Sequence, residues 1–241
     1  MIYTALFEAT RRRVRVVING KTVADSLAPA LLLEAGARPV YYFPRADVRT
    51  DWLEPSQQRS QSQTRGEATF WTLAVDGRRI ENALWSHETP PPALAAMTGY
   101  FAFAADKVDH WFEEDEEVFG HARDPYHRVD VRASTRRVRV RVAGEVIADT
   151  QHAMFLFETG MPTRYYIPPA DMRVEVLVPS RRRTVCPYKG FASYWSVKVG
   201  DRFVEDAVWG YLDPLPDCPK IKGLYCFYPE RVDAIEVEGG G

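Results

Sequence analysis

Along much of this chain apolar and polar residues alternate at every second position, which turns one face of an extended strand to a core and the other to water. Residues 13–18 alternate in this way, run into Asn19-Gly20 and return as residues 22–25. Asn-Gly readily takes the positive φ angles of a type I′ turn, so the stretch predicts a hairpin. Residues 138–142 and 146–149 repeat the arrangement around Ala143-Gly144, and residues 68–75 and 78–84 predict another hairpin about Asp76-Gly77. Residues 100–103 and 107–112 supply two more short strands. Helix is scarce: the apolar runs 28–33 and 153–157 are too short for periodicity to separate a strand from one helical turn.

The pattern occurs twice. RRVRVVINGKTVADS (12–26) lies over RRVRVRVAGEVIADT (136–150), Val14 falling on Val138, an offset of 124. The register then holds without a gap. Tyr41, Tyr42, Pro44 and Asp47 fall on Tyr165, Tyr166, Pro168 and Asp171, and Gly66, Ala68 and Trp71 on Gly190, Ala192 and Trp195. Glu81, Ala83 and Trp85 fall on Glu205, Ala207 and Trp209, and Gly99, Phe103, Val108 and Asp109 on Gly223, Phe227, Val232 and Asp233. Self-similarity of this length marks a duplicated unit. The expected fold is therefore mainly β, two tandem copies of a small twisted antiparallel-sheet domain with little helix. The first copy is expected over residues 1–113, an acidic and polar linker over 114–135, and the second copy over 136–241.

Composition narrows the partners. At 46% apolar residues the 241-residue chain can build two cores, and a formal net charge of −2 gives no global attraction to nucleic acid. No run approaches the roughly 18 apolar residues of a membrane span, and the opening residues lack the basic start and apolar run of a leader, so a cytoplasmic protein is expected. Cys186, Cys218 and Cys226 are odd in number and confined to the second half, as free thiols in a reducing compartment would be. The five acidic residues at 113–117 read as solvated surface, and HARDPYHRVD after them as a packing or capping segment.

TVCPYKGFASYWSV, preceded by ETGMPTRYYIPPADM and followed by EDAVWGYLDPLP and KGLYCFYPERVD, resembles the domain of unknown function 427 family. DPYHRVD and the degenerate first copy resemble its tandem members. The resemblance implies β-tent-like sheets and assigns no activity. It leaves metal chemistry to the residues themselves. A structural zinc needs four close Cys or His ligands, yet no CxxC is present, and Cys218 and Cys226 stand opposite Leu94 and Ala102, so neither metal nor cofactor is expected.

Where only one copy carries a reactive group, folding cannot require it. Cys186, Pro187, Tyr188 and Lys189 stand opposite Ser62, Gln63, Thr64 and Arg65, which makes the second copy the expected functional one. An ammonium three residues from a thiol can stabilise the thiolate, so Cys186 and Lys189 are the candidate catalytic pair, with Glu158 as a carboxylate whose burial would raise its pKa. Tyr165, Asp171, Tyr188, Tyr194, Trp195, Trp209 and Tyr211 are the candidate ligand-binding residues: aromatic walls exclude water and charges orient a small polar or zwitterionic molecule. Whether chemistry follows binding is left open. The alternative is a non-enzymatic interaction module, a homodimer among its forms, in which the arginine runs 11–13 and 181–183 meet acidic partners.

Overall fold

The computed structural model describes residues 4–239 and divides into two units, 1–124 and 125–241. The first unit holds β1 (Ala5–Ala9), β2 (Val14–Ile18), β3 (Lys21–Ser26), β4 (Ala30–Glu34), β5 (Val40–Pro44), β6 (Leu53–Ser62), β7 (Gly66–Val75), β8 (Arg78–Ser86), β9 (Tyr100–Phe103), β10 (His110–Glu113) and β11 (Glu116–Val118). They form a seven-stranded antiparallel sheet in the order β1-β4-β5-β9-β8-β7-β6 and a four-stranded sheet in the order β11-β10-β2-β3. The second unit holds β12 (Val129–Ala133), β13 (Val138–Val142), β14 (Glu145–Thr150), β15 (Met154–Glu158), β16 (Arg164–Ile167), β17 (Leu177–Cys186), β18 (Gly190–Val199), β19 (Arg202–Gly210), β20 (Tyr225–Phe227) and β21 (Ala234–Val237). Its large sheet runs β12-β15-β16-β20-β19-β18-β17, and its small one β14-β13-β21. The protein is mainly β, and the helical segments are short 3₁₀ turns.

Alternation explains how each small sheet packs on its large one. On β2 the side chains of Val14, Val16 and Ile18 are fully buried, in one core with Phe43, Leu73, Leu84 and Phe101; on β13 Val138, Val140 and Val142 do the same with Phe155, Ile167, Val197 and Val208. The arginine just before each strand pairs with an aspartate of the neighbouring strand, Arg13 with Asp25 and Arg137 with Asp149, each at 2.6 Å. The other face of each large sheet has a separate core. In the first unit it gathers Leu32, Tyr42, Leu94, Met97 and Ala102, and in the second their counterparts Leu156, Tyr166, Cys218, Ile221 and Cys226.

Both short apolar runs left open above are strands, β4 and β15. The acidic run is solvent-exposed over residues 114–117, but it is a strand hairpin of the first unit: Glu113 to Val118 folds into β10–β11, β10 pairs with β2, and Arg12 and Arg15 contact Glu113 and Asp115. Part of the HARDPYHRVD segment is likewise structural, since β12 pairs residue for residue with β15, as β1 does with β4.

Three hairpin turns have both central residues at positive φ: Asn19 and Gly20, Asp76 and Gly77, Ala143 and Gly144. Asn and Asp tolerate this region, whereas Ala, at φ 53°, sits there against its preference. Ala143→Asn, the residue of the first copy, is therefore expected to stabilise the second unit by about 0.5–1 kcal/mol. A lower urea midpoint for the variant would contradict that account.

Candidate functional site

Glu158 ends β15 and Lys189 lies in the turn between β17 and β18, so three strands, β16, β20 and β19, separate them in the sheet. In a flat sheet β15 and β18 would stand about 19 Å apart, four spacings of nearly 5 Å. Instead the Lys189 ammonium donates to Glu158 Oε2 at 2.6 Å. The sheet is thus strongly curled, and the pair clasps it across the face that carries Tyr166, Tyr211 and Cys226. His127 completes the group. Its Nε2 lies 3.0 Å from Glu158 Oε1, and its ring packs on Tyr188 with centroids 4.5 Å apart. Only 7% of Lys189 is exposed.

Electrostatics settle the state of the carboxyl. Burial pushes the Glu158 pKa up, but the hydrogen bond and charge of Lys189, then those of His127, outweigh burial and leave it below the usual carboxylate range. An ionised Glu158 can only accept, so the proton of this contact sits on His127 Nε2. A general acid role for Glu158 needs a raised pKa, and the direction found is the opposite. The ammonium is directed at the carboxylate; the link between Lys189 and Cys186 is a backbone one, Lys189 N–H to Cys186 C=O at 3.3 Å.

The first copy holds the same clasp in a looser form. Arg65 in the β6–β7 turn approaches Glu34 on β4 to 3.3 Å, and its buried Nε has no aligned hydrogen-bond partner among the described residues. The pair is therefore an inherited feature of the fold, tightened in the second copy by a lysine and joined there by His127.

The remaining candidates separate by face. Cys186, Tyr194, Trp209 and Tyr211 share the clasped face with Tyr166, Cys218 and Cys226. Trp209 Nε1 donates to the Tyr166 hydroxyl at 3.3 Å, and Tyr194 and Thr184 hydroxyls meet at 2.8 Å. Burial lifts the Tyr211 phenol far above its usual range, raises the Cys218 thiol and pushes Cys226 up to about 12, so all three stay protonated at neutral pH. Tyr165 and Trp195 lie on the opposite face, packed into the core shared with β13 and β14. Asp171 is elsewhere again: it accepts from Thr150 at 2.6 Å and from His152 at 3.1 Å, and Asp47 accepts from Ser26 in the first copy, so this carboxylate is a structural cap in both. His127 was missed. Extending the repeat register upstream lays Val129–Ala133 over Ala5–Ala9, which would have put His127 two residues before a strand bound to the one that carries Glu158.

The first unit has a cavity of about 150 Å³, lined by Tyr41, Trp85, Phe103 and Trp111 and by residues 118–122. Its walls are mostly apolar. Among the described residues no three His, Cys, Asp or Glu side chains converge as a metal site, and no helix is long and apolar enough to cross a membrane.

Two tandem units, each with a large curled sheet spanned by a Glu–cation clasp, define a duplicated, mainly β protein. The family model for the domain of unknown function DUF427 matches residues 6–114 and again 130–238, and the chain belongs to that family as a tandem member. No curated protein matches it.

Proposed function

We propose that the second unit binds a small polar or zwitterionic molecule beside the Glu158–Lys189–His127 group, with Tyr188, Tyr194, Trp209 and Tyr211 as its aromatic surroundings. One observation carries the reading. The Lys189 ammonium has three N–H donors, is buried, and has Glu158 as its one hydrogen-bonded side-chain acceptor among the described residues. An acceptor such as a ligand carboxylate would satisfy what remains, and burial makes that bond stronger than it would be in water. Cys186 lines the same face, but the reading includes no covalent step, because the cation that would activate the thiol is engaged with Glu158.

The test is a thermal-shift screen of the full chain against α-amino acids and short hydroxy acids at millimolar concentration. A ligand present at about 100 times its Kd stabilises the folded state by about 2.7 kcal/mol, several degrees for a unit of this size. The shift is expected to vanish in Lys189→Arg, which keeps a clasp of the first-copy type and changes the free donors. No shift with any compound, or an equal shift in the variant, rejects the reading.

A further inference from the structure

The clasped face of the second unit carries a second set of cations that the reading above does not use. Arg182 on β17 stacks over Tyr194 at 4.6 Å, Arg164 on β16 over Trp209 at 5.3 Å, and Arg231 over Tyr228 at 5.2 Å. The rings are contiguous: Tyr194 pairs with Trp209 across β18 and β19, and Trp209 meets Tyr228 at 4.2 Å. Three guanidiniums thus ring one aromatic floor, of which Trp209 and Tyr194 are buried.

Most of this set is absent from the duplicate fold. The first copy has Val40, Gln58 and Ala104 opposite Arg164, Arg182 and Tyr228. Lys107 opposite Arg231 shows which part of that residue is scaffold: Lys107 Nζ donates to the Glu81 and Asn82 carbonyls, as Arg231 Nη1 does to those of Glu205 and Asp206. Arg183 is excluded from the set, since it and Arg59 make the same two backbone bonds in their copies. Counter-charge is sparse. Arg182 approaches Asp206 at 3.6 Å, whereas neither Arg164 nor Arg231 forms an ion pair among the described residues.

We propose that Arg164, Arg182 and Arg231 form an oxyanion site that takes the phosphate group of a small aromatic phosphomonoester. Three guanidinium charges against the single Asp206 carboxylate leave two positive charges, which a phosphomonoester dianion matches. A guanidinium held over a ring face meets no acceptor there, so the N–H donors not already bonded, as Arg231 Nη1 is to its two carbonyls, remain for the oxygens of a phosphate. The buried Tyr194 and Trp209 exclude water beneath the anion, and the partly exposed Tyr228 offers an edge for the ligand's ring. The site shares Tyr194 and Trp209 with the ligand reading above but none of its charges, so either can fail alone.

Titration calorimetry of the full chain with phenyl phosphate at low salt tests the proposal. Saturable one-site binding is expected, weakened at least about tenfold in Arg164→Gln/Arg182→Gln and weakening as salt is added. Arg231→Lys, which retains the carbonyl clamp, should weaken it severalfold, and Lys189→Arg should leave it unchanged. Should the double variant not fold, Arg182→Lys keeps the charge and stem while removing the fork, and should also weaken binding. Absence of saturable binding, equal binding of uncharged phenol, retained affinity in the arginine variants, or a loss confined to Lys189→Arg each overturns it.

Discussion

Lys189→Met should destabilise the second unit by about 3–5 kcal/mol, the cost of leaving one member of a buried ion pair without its partner. The Lys189 and Glu158 side chains are only 9% and 12% exposed, so solvent cannot replace the lost ammonium for a carboxylate left with the His127 contact alone. Glu158→Gln should cost a similar amount by stranding the ammonium. The double variant Glu158→Gln/Lys189→Met should be markedly more stable than the two single effects summed, because no buried charge remains. Arg65→Met in the first copy should cost less, since Arg65 and Glu34 are more exposed and lie 3.3 Å apart without good alignment. Amide exchange localises each loss: protection of β15 and β18 should fall in the Lys189 variant, and that of β4 and β7 in the Arg65 variant. Equal, small effects at the two sites would mean that the clasp contributes no more than a surface pair.

The same pair fixes an acid dependence. In the folded state the Glu158 pKa lies below its ordinary value of about 4.5, because Lys189 and His127 outweigh the opposing effect of burial. Its stabilising contribution is therefore complete above that ordinary value and is lost as pH falls through the depressed one. Below both, Glu158 is protonated in the folded and unfolded states alike and the contribution is gone. Lys189→Met should accordingly flatten the loss of stability on the acid side of pH 4.5, as followed by urea unfolding of the second unit at stepped pH.

Much of this architecture was legible in the chain because it depends on short-range chemistry written twice. The hairpins at Asn19-Gly20 and Asp76-Gly77 follow from turn residues and alternation, and the constant offset carries them into the second copy. The faces were less accessible. Tyr165 and Tyr166, or Tyr194 and Trp195, are neighbours on single strands, and successive side chains on a strand point to opposite faces. Each pair therefore had to be split, although which member faced the clasp depended on register shifts such as that between Trp195 and Val197. The clasp itself was obscured by identity. Lys189 against Arg65 looked like a difference, while the cation common to both was the structural fact. The acidic run at 113–117 could not be placed from its charge, because its hairpin is held by β2, nearly a hundred residues earlier.

Gly210→Ser should destabilise the second unit by about 1–3 kcal/mol, even though serine is the residue of the first copy at that position, Ser86. A Cβ built on Gly210 would stand 2.5 Å from the Leu224 carbonyl oxygen and 3.6 Å from the Trp195 ring. The first contact is with backbone, which cannot rotate away as a side chain does. The crowding has a local cause: just beyond β19, Tyr211 bridges to Lys222 in parallel, and Gly223 N–H donates to the Tyr211 carbonyl at 2.9 Å, drawing the segment that ends at Leu224 onto the strand. In the first copy Ser86 instead accepts a hydrogen bond from Trp71 Nε1 at 3.2 Å, so its side chain has both space and a partner. The converse exchange, Ser86→Gly, should thus also lower stability, through loss of that bond and added freedom of the unfolded chain, but by about 1 kcal/mol. Unfolding midpoints of the two variants decide the matter. If Gly210→Ser is tolerated without loss, the close approach of residue 224 does not distinguish the copies, and the closure of the second copy's face by residues 211–224 is looser than described.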